Sequence, residues 1–460
     1  MSYYILNRGF ALCGYEGLPF GLRTPRGAAE FFSREQYEMV LMLDGKTDLD
    51  PDTLTEAQRP MFDRLLERKV IRELEAPEGL LPEQTYRFYP AMYKRHIQWS
   101  ITGACNYRCR HCFMSAPDSQ FTEPTWEQCQ SAIRQMAECG IKEVSLTGGE
   151  PLISPHFYPI LDECIARGIG ISTIYSNGRL VTPQLLDELE RRNLHPSFQM
   201  SFDGIGWHDW LRGVEGAEQA VLKAFALCRD RGFSTGAAFA LHRHNLEGFN
   251  ESLRLLDSLG LRHVKANITS PTGLWASQTE HFLDPDETYQ YLLETALPQY
   301  MKDDLQVGVQ FCLLLNWNPK TGEGFVPGAK FTGHEADREA WACGSVKNTG
   351  YLSPEGYVLP CMTMVGTKMQ ESFRSLYDRP LRDILTDSAY TRVCLMKMGE
   401  VVDAHDRCRD CQYQLYCGAG CRACGIGETG TDRAIDREVC HFFRAGWFDK
   451  ATALLKELTA

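Results

Sequence analysis

Three cysteines, Cys105, Cys109 and Cys112, lie within the short segment CNYRCRHC. Thiolates are the ligands of iron–sulfur clusters, and this spacing lets one loop hold three corners of a cubane. A tetrahedral zinc ion or a four-iron cluster needs a fourth ligand. His111 could serve zinc, but it lies between two of the cysteines and is awkwardly placed. The segment therefore predicts a metal cluster with one open position, and zinc is the alternative.

A glycine pair followed by a carboxylate, in LTGGEP, comes at the end of the next predicted strand. Two glycines let the backbone approach a ligand closely, and the carboxylate after them can hold an ammonium group. Polar residues end the next two strands, in YSNG and SFDG, although Asn-Gly and Asp-Gly are also common in turns. Together with an arginine in HDWLRGVEG, these residues are Gly148, Gly149, Glu150, Ser176, Asn177, Ser201, Asp203 and Arg212.

Seven further cysteines form a second group towards the end of the chain. One cysteine is followed by Gly356 and a second cysteine, and a C-x2-C-x5-C-x3-C run is followed by a last one. Loops so rich in glycine and cysteine could not form a conventional core, so metal would have to stabilise the fold. A pair of zinc ribbons is the alternative to iron–sulfur clusters. The seven are Cys343, Cys361, Cys408, Cys411, Cys417, Cys421 and Cys440.

The three-cysteine loop, with GGEP one strand–helix unit later, resembles the radical S-adenosylmethionine family. The resemblance implies that the loop holds a catalytic 4Fe–4S cluster, whose vacant iron is chelated by the amino and carboxylate groups of S-adenosylmethionine. It implies that the glycine-glycine-glutamate segment binds the methionine amine and that the other polar strand ends line the cofactor pocket. Arg212 would then reach the cofactor carboxylate. Cleavage of the cofactor would give a 5′-deoxyadenosyl radical, which abstracts a hydrogen atom.

One position departs from the family pattern. An aromatic residue usually precedes the third cysteine, and here that position is His111. The cluster assignment does not depend on it. Packing over the adenine is expected instead from Tyr107 or Phe113.

The second cysteine group resembles the SPASM domain, an extension of these enzymes with two auxiliary 4Fe–4S clusters. The resemblance implies three clusters in all. Cys408, Cys411, Cys417 and Cys440 would close one auxiliary cluster, and Cys343, Cys361 and Cys421 would hold the other. Some relatives add a cysteine soon after the first, but GSVKNTG has none. An open iron, Cys424 and a substrate group all remain possible for the fourth position.

The elements that must position these residues divide into three regions. Residues 96–305 contain six strand–helix units, which require a parallel sheet. We expect an α/β fold, a partial (β/α)6 TIM-like barrel, with a doubly wound sheet as the alternative; in both, the active site lies at the carboxyl ends of the strands. Residues 1–95 predict a winged-helix-like α+β domain, and residues 306–460 the iron–sulfur domain.

Composition excludes several function classes. The chain has 460 residues, a net charge of −12 and 43% hydrophobic residues, which is typical of a globular protein and unlike a nucleic-acid-binding surface. We expect no membrane span and no signal peptide, and hence a cytoplasmic location, where clustered cysteines bind metal or do chemistry. The remaining cysteines are scattered along the chain, and most of them are expected to be small buried core residues: Cys13, Cys129, Cys139, Cys164, Cys228, Cys312, Cys394 and Cys424.

These features together predict an oxidoreductase that forms an oxidative crosslink in a ribosomally made precursor peptide. Residues 1–95 resemble the PqqD-like element that binds a leader peptide by strand addition. A flavodoxin or ferredoxin would supply electrons. The alternatives are a formylglycine-forming sulfatase maturase, a peptide epimerase with Cys312 as hydrogen donor, and a degenerate cluster protein without activity. A DNA-binding winged helix is disfavoured because DGKTDLDPDTLTEAQ is acidic.

Overall fold

The computed structural model describes residues 2–25, 27–114, 121–271 and 273–459. The strands in these residues are β1 (Tyr3–Leu6), β2 (Ala11–Tyr15), β3 (Leu18–Arg23), β4 (Ala29–Phe31), β5 (Asp44–Asp48), β6 (Ile71–Leu74), β7 (Arg87–Tyr89), β8 (His96–Ser100), β9 (Glu143–Thr147), β10 (Gly170–Ser176), β11 (Ser197–Ser201), β12 (Thr235–Leu241), β13 (His263–Ile268), β14 (Gly308–Phe311), β15 (Leu315–Asn318), β16 (Glu323–Phe325), β17 (Thr349–Leu352) and β18 (Val358–Leu359).

The α-helices of the same residues alternate with the strands in the middle of the chain and cluster near its end. They are α1 (Arg34–Leu41), α2 (Arg59–Glu67), α3 (Trp126–Glu138), α4 (Phe157–Ala166), α5 (Pro183–Arg191), α6 (His208–Arg212), α7 (Ala217–Asp230), α8 (Phe249–Ser258), α9 (Pro285–Tyr291), α10 (Leu297–Lys302), α11 (Gly344–Asn348), α12 (Leu381–Leu385), α13 (Ser388–Leu395), α14 (Met398–Asp403), α15 (Asp406–Arg409), α16 (Gln414–Cys417), α17 (Arg422–Thr429), α18 (Arg437–Arg444) and α19 (Trp447–Thr459).

A central sheet carries the predicted strand–helix units. Its strand order is β16-β15-β14-β13-β12-β11-β10-β9-β8-β17-β18. The six strands predicted from the sequence are β8 to β13, and each pairs in parallel with the next. The predicted alternation is therefore confirmed, and the carboxyl ends of these strands face one edge, as parallel pairing requires.

Local sequence explains why the helices form where they do. The side chain of Thr182 accepts a hydrogen bond from the Leu185 backbone at the start of α5, and Pro183 occupies the first helical position. The same helix buries Leu185, Leu186 and Leu189, which are spaced to lie on one face. Each such helix covers a face of the sheet with apolar side chains and closes that face to water. The carboxyl ends of the strands are left open for polar residues that could do chemistry.

The N-terminal region has two small sheets of its own, with strand orders β5-β1-β6 and β4-β3-β2-β7. Strand β1 is central in the first and pairs antiparallel with both neighbours. Helix α1 begins at a capping box between Ser33 and Gln36. Both α1 and α2 contribute to an apolar core separate from that of the central sheet. The winged-helix assignment of this region remains a prediction.

The C-terminal region is joined to the central sheet by backbone pairing. Strand β17 pairs in parallel with β8, and β14 pairs in parallel with β13. The sheet thus continues across residue 305, where the sequence places a domain boundary. In the residues described, no helix is both long and apolar enough to span a bilayer.

Candidate active site

The three-cysteine loop follows β8 and is held by α6. The backbone N–H of Arg108 donates to the Arg212 carbonyl at 3.2 Å, and that of Arg110 donates to the Leu211 carbonyl at 2.9 Å. The turn after α6 needs a glycine, because a Cβ on Gly213 would lie 2.3 Å from the carbonyl oxygen of Arg108 and its φ is +65°. The loop is therefore shaped by a segment about a hundred residues away, as the 103-residue separation of Cys109 and Arg212 indicates.

The glycine pair after β9 lies against the start of the same loop. The backbone N–H of Gly149 donates to Thr102 at 3.0 Å, and that of Glu150 donates to Ala104 at 2.9 Å. A Cβ on Gly149 would lie 2.1 Å from the carbonyl oxygen of Ala104. The two glycines thus allow a close backbone approach to the cysteine loop, and the predicted approach to a ligand stays a prediction.

Glu150 is fully buried beneath these segments. Its carboxylate accepts hydrogen bonds from the Ser176 hydroxyl at 2.9 Å and from the Asn177 backbone at 2.8 Å. Burial raises the pKa of Glu150 to about 7, and these hydrogen bonds only partly offset that rise. All of these hydrogen-bond partners are neutral, so the site suits a cationic ligand. The structure brings Glu150, Ser176 and Asn177 together, as the sequence analysis expects.

Asp203 lies inside the protein and holds Arg212. Its carboxylate accepts from Arg212 Nε at 2.7 Å and Nη2 at 3.1 Å, and from the Ala240 backbone at 3.0 Å. His208 Nδ1 lies 3.0 Å from the same carboxylate. Although burial alone would raise it, the pKa of Asp203 is held well below its usual range by the Arg212 guanidinium. Asp203 is therefore a positioning residue, and direct cofactor contact by it stays a prediction.

Arg212 reaches the cysteine loop from this buried pair. Its Nη1 lies 3.8 Å from the sulfur of Cys109. A guanidinium there stabilises thiolate charge and leaves further N–H donors for a carboxylate. Ser201, at the end of β11, is half-buried and close to this region in sequence. The predicted pocket residues thus divide into two groups. The Glu150 group consists of Glu150, Ser176 and Asn177, and the Arg212 group consists of Asp203 and Arg212.

Several residues that the sequence analysis did not single out support the loop. Asn177 Nδ2 donates to Asn106 Oδ1 at 2.7 Å, and Arg179 Nε donates to the Tyr107 hydroxyl at 3.2 Å. The carboxylate of Glu123 accepts from the backbone N–H groups at the start of the loop. The only sequence signal for Arg179 is that it directly follows the Asn-Gly turn.

The aromatic residues of the loop differ sharply in exposure. Tyr107 is 1% exposed, whereas Phe113 is 43% exposed. Because Tyr107 is fixed inside the loop by Arg179, Phe113 is the aromatic side chain free to pack over a ligand. His111 has a buried Nδ1 with no hydrogen-bond partner among the described residues.

The second cysteine group is built from helix ends and turns. Cys343 precedes α11, Cys361 precedes the turn Met362–Met364, and Cys421 is the N-cap of α17. The other four predicted ligands lie in or next to the short helices α15, α16 and α18. They are Cys408, Cys411, Cys417 and Cys440.

Thiol spacing separates zinc from a larger cluster. Sulfurs around one tetrahedral zinc ion lie roughly 3.8 Å apart, given a Zn–S bond of about 2.3 Å. Within the described residues, the only three-member group of His, Cys, Asp or Glu ligand atoms within 4.8 Å of one another is Cys421, Cys424 and Asp436. Among the described residues, neither the thiols of the 105–112 loop nor those of Cys408, Cys411, Cys417 and Cys440 form such a close group. Both donor sets consist of cysteines, and cysteine thiolates are the usual ligands of iron–sulfur clusters.

Comparison with known families supports this chemistry. Residues 99–256 match the Radical SAM superfamily, and residues 343–412 match the SPASM iron-sulfur cluster-binding domain. The chain is an enzyme that contains a radical SAM domain and a SPASM domain. The matched parts include the three-cysteine loop, the Glu150 group and four of the predicted auxiliary ligands; Cys417, Cys421 and Cys440 lie beyond them.

The enzyme is similar to proteins with different named activities. It is 25% identical over 347 residues to an AdoMet-dependent heme synthase of Methanosarcina barkeri, covering 73% of this chain and 93% of that protein. It is 24% identical over 388 residues to the PqqA peptide cyclase of Ruegeria pomeroyi, covering 84% and 94%. The crystal structure of Streptococcus suis SuiB bound to precursor peptide SuiA has the same fold, with a TM-score of 0.65 and 13% identity over 95% of this chain and 99% of that one.

The radical SAM fold indicates which residues would bind the cluster and the cofactor. Cys105, Cys109 and Cys112 would hold a cluster that, with S-adenosylmethionine bound, would supply a radical able to take a hydrogen atom from a substrate. The buried Glu150 carboxylate, with neutral partners only, fits the ammonium group of that cofactor. Arg212, held by Asp203, fits its carboxylate. Burial of both charged groups excludes water and strengthens their contacts with a ligand.

Proposed function

We propose that this enzyme is a peptide maturase that forms an oxidative intramolecular crosslink, of carbon–carbon, thioether or ether type, in a ribosomally made precursor peptide. The peptide loses one hydrogen atom to the 5′-deoxyadenosyl radical, a second hydrogen as a proton, and one electron to an auxiliary cluster. An external flavodoxin or ferredoxin type of donor supplies the electron that starts each turnover.

The observation that carries the proposal is the pairing of β17 with β8. Strand β8 leads directly into the catalytic loop, and β17 lies between Cys343 and Cys361. An electron acceptor held by those cysteines would therefore be anchored to the same sheet as the radical site. A reaction that only rearranged hydrogen atoms would need no such acceptor.

An unpaired sheet edge supports leader-peptide binding by the N-terminal region. Strand β5 is covered by a loop, because the Glu78 N–H donates to the Gly45 carbonyl at 2.9 Å. Strand β6 pairs with β1 through four consecutive residues, and among the described residues no strand pairs with its other side. An extended leader could add to β6 and gain backbone hydrogen bonds. The PqqA peptide cyclase and SuiB likenesses favour this substrate class.

Heme synthesis is the second candidate function, because the AdoMet-dependent heme synthase of Methanosarcina barkeri aligns with nearly its whole length. Formylglycine formation and epimerisation are further alternatives. Epimerisation through Cys312 is disfavoured, because that thiol is only 2% exposed. A hydrogen donor must reach the substrate radical.

The test is anaerobic incubation of the reconstituted enzyme with S-adenosylmethionine, dithionite and a precursor peptide encoded beside its gene. Mass spectrometry should show the loss of two hydrogens from the peptide, and removal of the leader should abolish the reaction. An unchanged mass with deuterium uptake would indicate an epimerase, and turnover of a tetrapyrrole alone would indicate the second candidate.

Two variants control this experiment. Cys109→Ala removes a predicted cluster ligand and should abolish 5′-deoxyadenosine formation. Cys228→Ala removes a fully buried core thiol and should keep it. If the Cys109 variant still releases 5′-deoxyadenosine, the assignment of the catalytic loop is wrong.

A further inference from the structure

The cysteines outside the predicted ligand set separate clearly by exposure. Seven of the eight are no more than 3% exposed, in agreement with a core role, whereas Cys424 is exposed. The predicted ligands are all at least 9% exposed or intermediate. Cys424 therefore groups with the ligands. The seven buried residues are Cys13, Cys129, Cys139, Cys164, Cys228, Cys312 and Cys394.

Cys424 lies beside an auxiliary ligand. It follows Cys421 by three residues in α17, so both side chains lie at the start of one helix. Their ligand atoms, with that of Asp436, lie within 4.8 Å of one another. Helix α17 also packs against the turn Met362–Met364, which directly follows Cys361. The C-x2-C spacing is one that iron–sulfur proteins use for two ligands of a run.

The carboxylate of Asp436 accepts hydrogen bonds from backbone N–H groups. One of its oxygens accepts from the Cys421 N–H at 3.0 Å, and the other accepts from the Val439 N–H at 3.1 Å. It therefore caps α18 and fixes the start of α17. Since iron–sulfur clusters are held mainly by cysteine thiolates, the two thiols are the groups here that suit such a cluster.

Cys394, the other cysteine near this cluster, makes its contacts inside the core. Cys394 interacts with Cys343 but is 1% exposed. The ammonium group of Lys94 lies 3.4 Å from its sulfur. Cys394 thus stabilises a buried lysine within the core.

We propose that Cys424 is the fourth thiolate ligand of the auxiliary cluster held by Cys343, Cys361 and Cys421. This assignment rests on the proposed function, since it requires that auxiliary cluster. The thiol proton of Cys424 leaves to solvent as the iron–sulfur bond forms, and no electron is transferred in that step. The cluster then has no open iron, so it accepts an electron from the peptide without binding it directly.

The experiment uses the full-length chain with Cys105, Cys109 and Cys112 all changed to alanine, which leaves only the auxiliary clusters. After anaerobic reconstitution and reduction, electron paramagnetic resonance spectra are recorded with and without cyanide, which binds an iron that lacks a protein ligand. The parent should show no cyanide-induced shift. Adding Cys424→Ala should create one and, on mild oxidation, a 3Fe–4S signal from loss of the released iron.

Two further variants keep the result interpretable. Cys394→Ala should behave like the parent, because its thiol is not a ligand. Cys424→Ser retains the side-chain volume, so a change in its spectrum reports ligation and not misfolding. A cyanide shift already present in the parent, or identical spectra for the parent and Cys424→Ala, would overturn the assignment. A parent without auxiliary iron would instead refute the electron acceptor of the proposed function, and iron analysis distinguishes that case.

Discussion

Removal of the Asp203 carboxylate should strongly destabilise the enzyme, although Asp203 lies behind the cofactor pocket. The carboxylate is fully buried and makes two hydrogen bonds with Arg212, which is itself only 9% exposed. Replacement by alanine leaves a buried guanidinium without a counter-charge. Breaking a buried ion pair by removing one partner costs about 3–5 kcal/mol, a large fraction of the roughly 5–15 kcal/mol that stabilises typical proteins.

Removing both charges should cost much less than the sum of the single changes. In Asp203→Ala/Arg212→Leu no buried charge is left unpaired, so we expect a coupling free energy of about 2–3 kcal/mol. An exposed pair provides the control: Arg34 and Glu38 lie 3.6 Å apart on α1 with side chains 83% and 63% exposed. Glu38→Ala should change stability by no more than about 0.5 kcal/mol.

The assay is urea unfolding of the cluster-free proteins under anaerobic conditions, followed by circular dichroism. The pKa of Asp203 lies below its ordinary value of 3.8, because Arg212 outweighs the effect of burial. Its contribution is therefore fully present above that pH and is lost only as the pH falls towards the folded-state pKa. The difference between wild type and Asp203→Ala should be constant from pH 6 to pH 8. A loss below about 1 kcal/mol, or additive single changes, would refute the reasoning.

Two other predictions concern the glycine-glycine-glutamate segment. Since burial raises the pKa of Glu150 to about 7, S-adenosylmethionine binding measured by equilibrium dialysis should weaken about tenfold from pH 8 to pH 6 as the carboxylate is protonated; Glu150→Gln should bind weakly at both values, and an unaltered pH dependence in that variant would contradict the role. Gly149→Ala places a Cβ 2.1 Å from the Ala104 oxygen and should lower the rate of 5′-deoxyadenosine release about a hundredfold. Gly427→Ala, with open space around it, should keep that rate and stabilise α17 by about 0.5–1 kcal/mol; equal rates for the two alanine variants would show that the close approach is unimportant.

The parallel sheet was predictable because its signals are local. Each of the six strands is a short β-rich run followed by a helix with an apolar face, and parallel pairing follows from that alternation. The Glu150 group was predictable for a similar reason, since neighbouring strand ends meet at one edge. In both cases the spacing along the chain determined the arrangement in space.

Other features depend on contacts between distant segments. The sequence SFDG allows Asp203 to face either the pocket or the interior, and Arg212 and the Ala240 backbone decide in favour of the interior. The pairing of β17 with β8 joins residues about 250 positions apart, and neither strand's composition specifies the other. The exposure of Cys424 likewise depends on how α17 packs, so the sequence left its role open.

The shared sheet also protects the protein from self-association. Strand β17 covers the side of β8 that would otherwise present unpaired backbone groups. A chain ending at residue 305 would leave that edge open, next to the buried side chains Ile97 and Trp99. Exposed strand edges of this kind template pairing with other chains. By covering this edge of β8, the C-terminal region therefore opposes aggregation, whatever metal it carries.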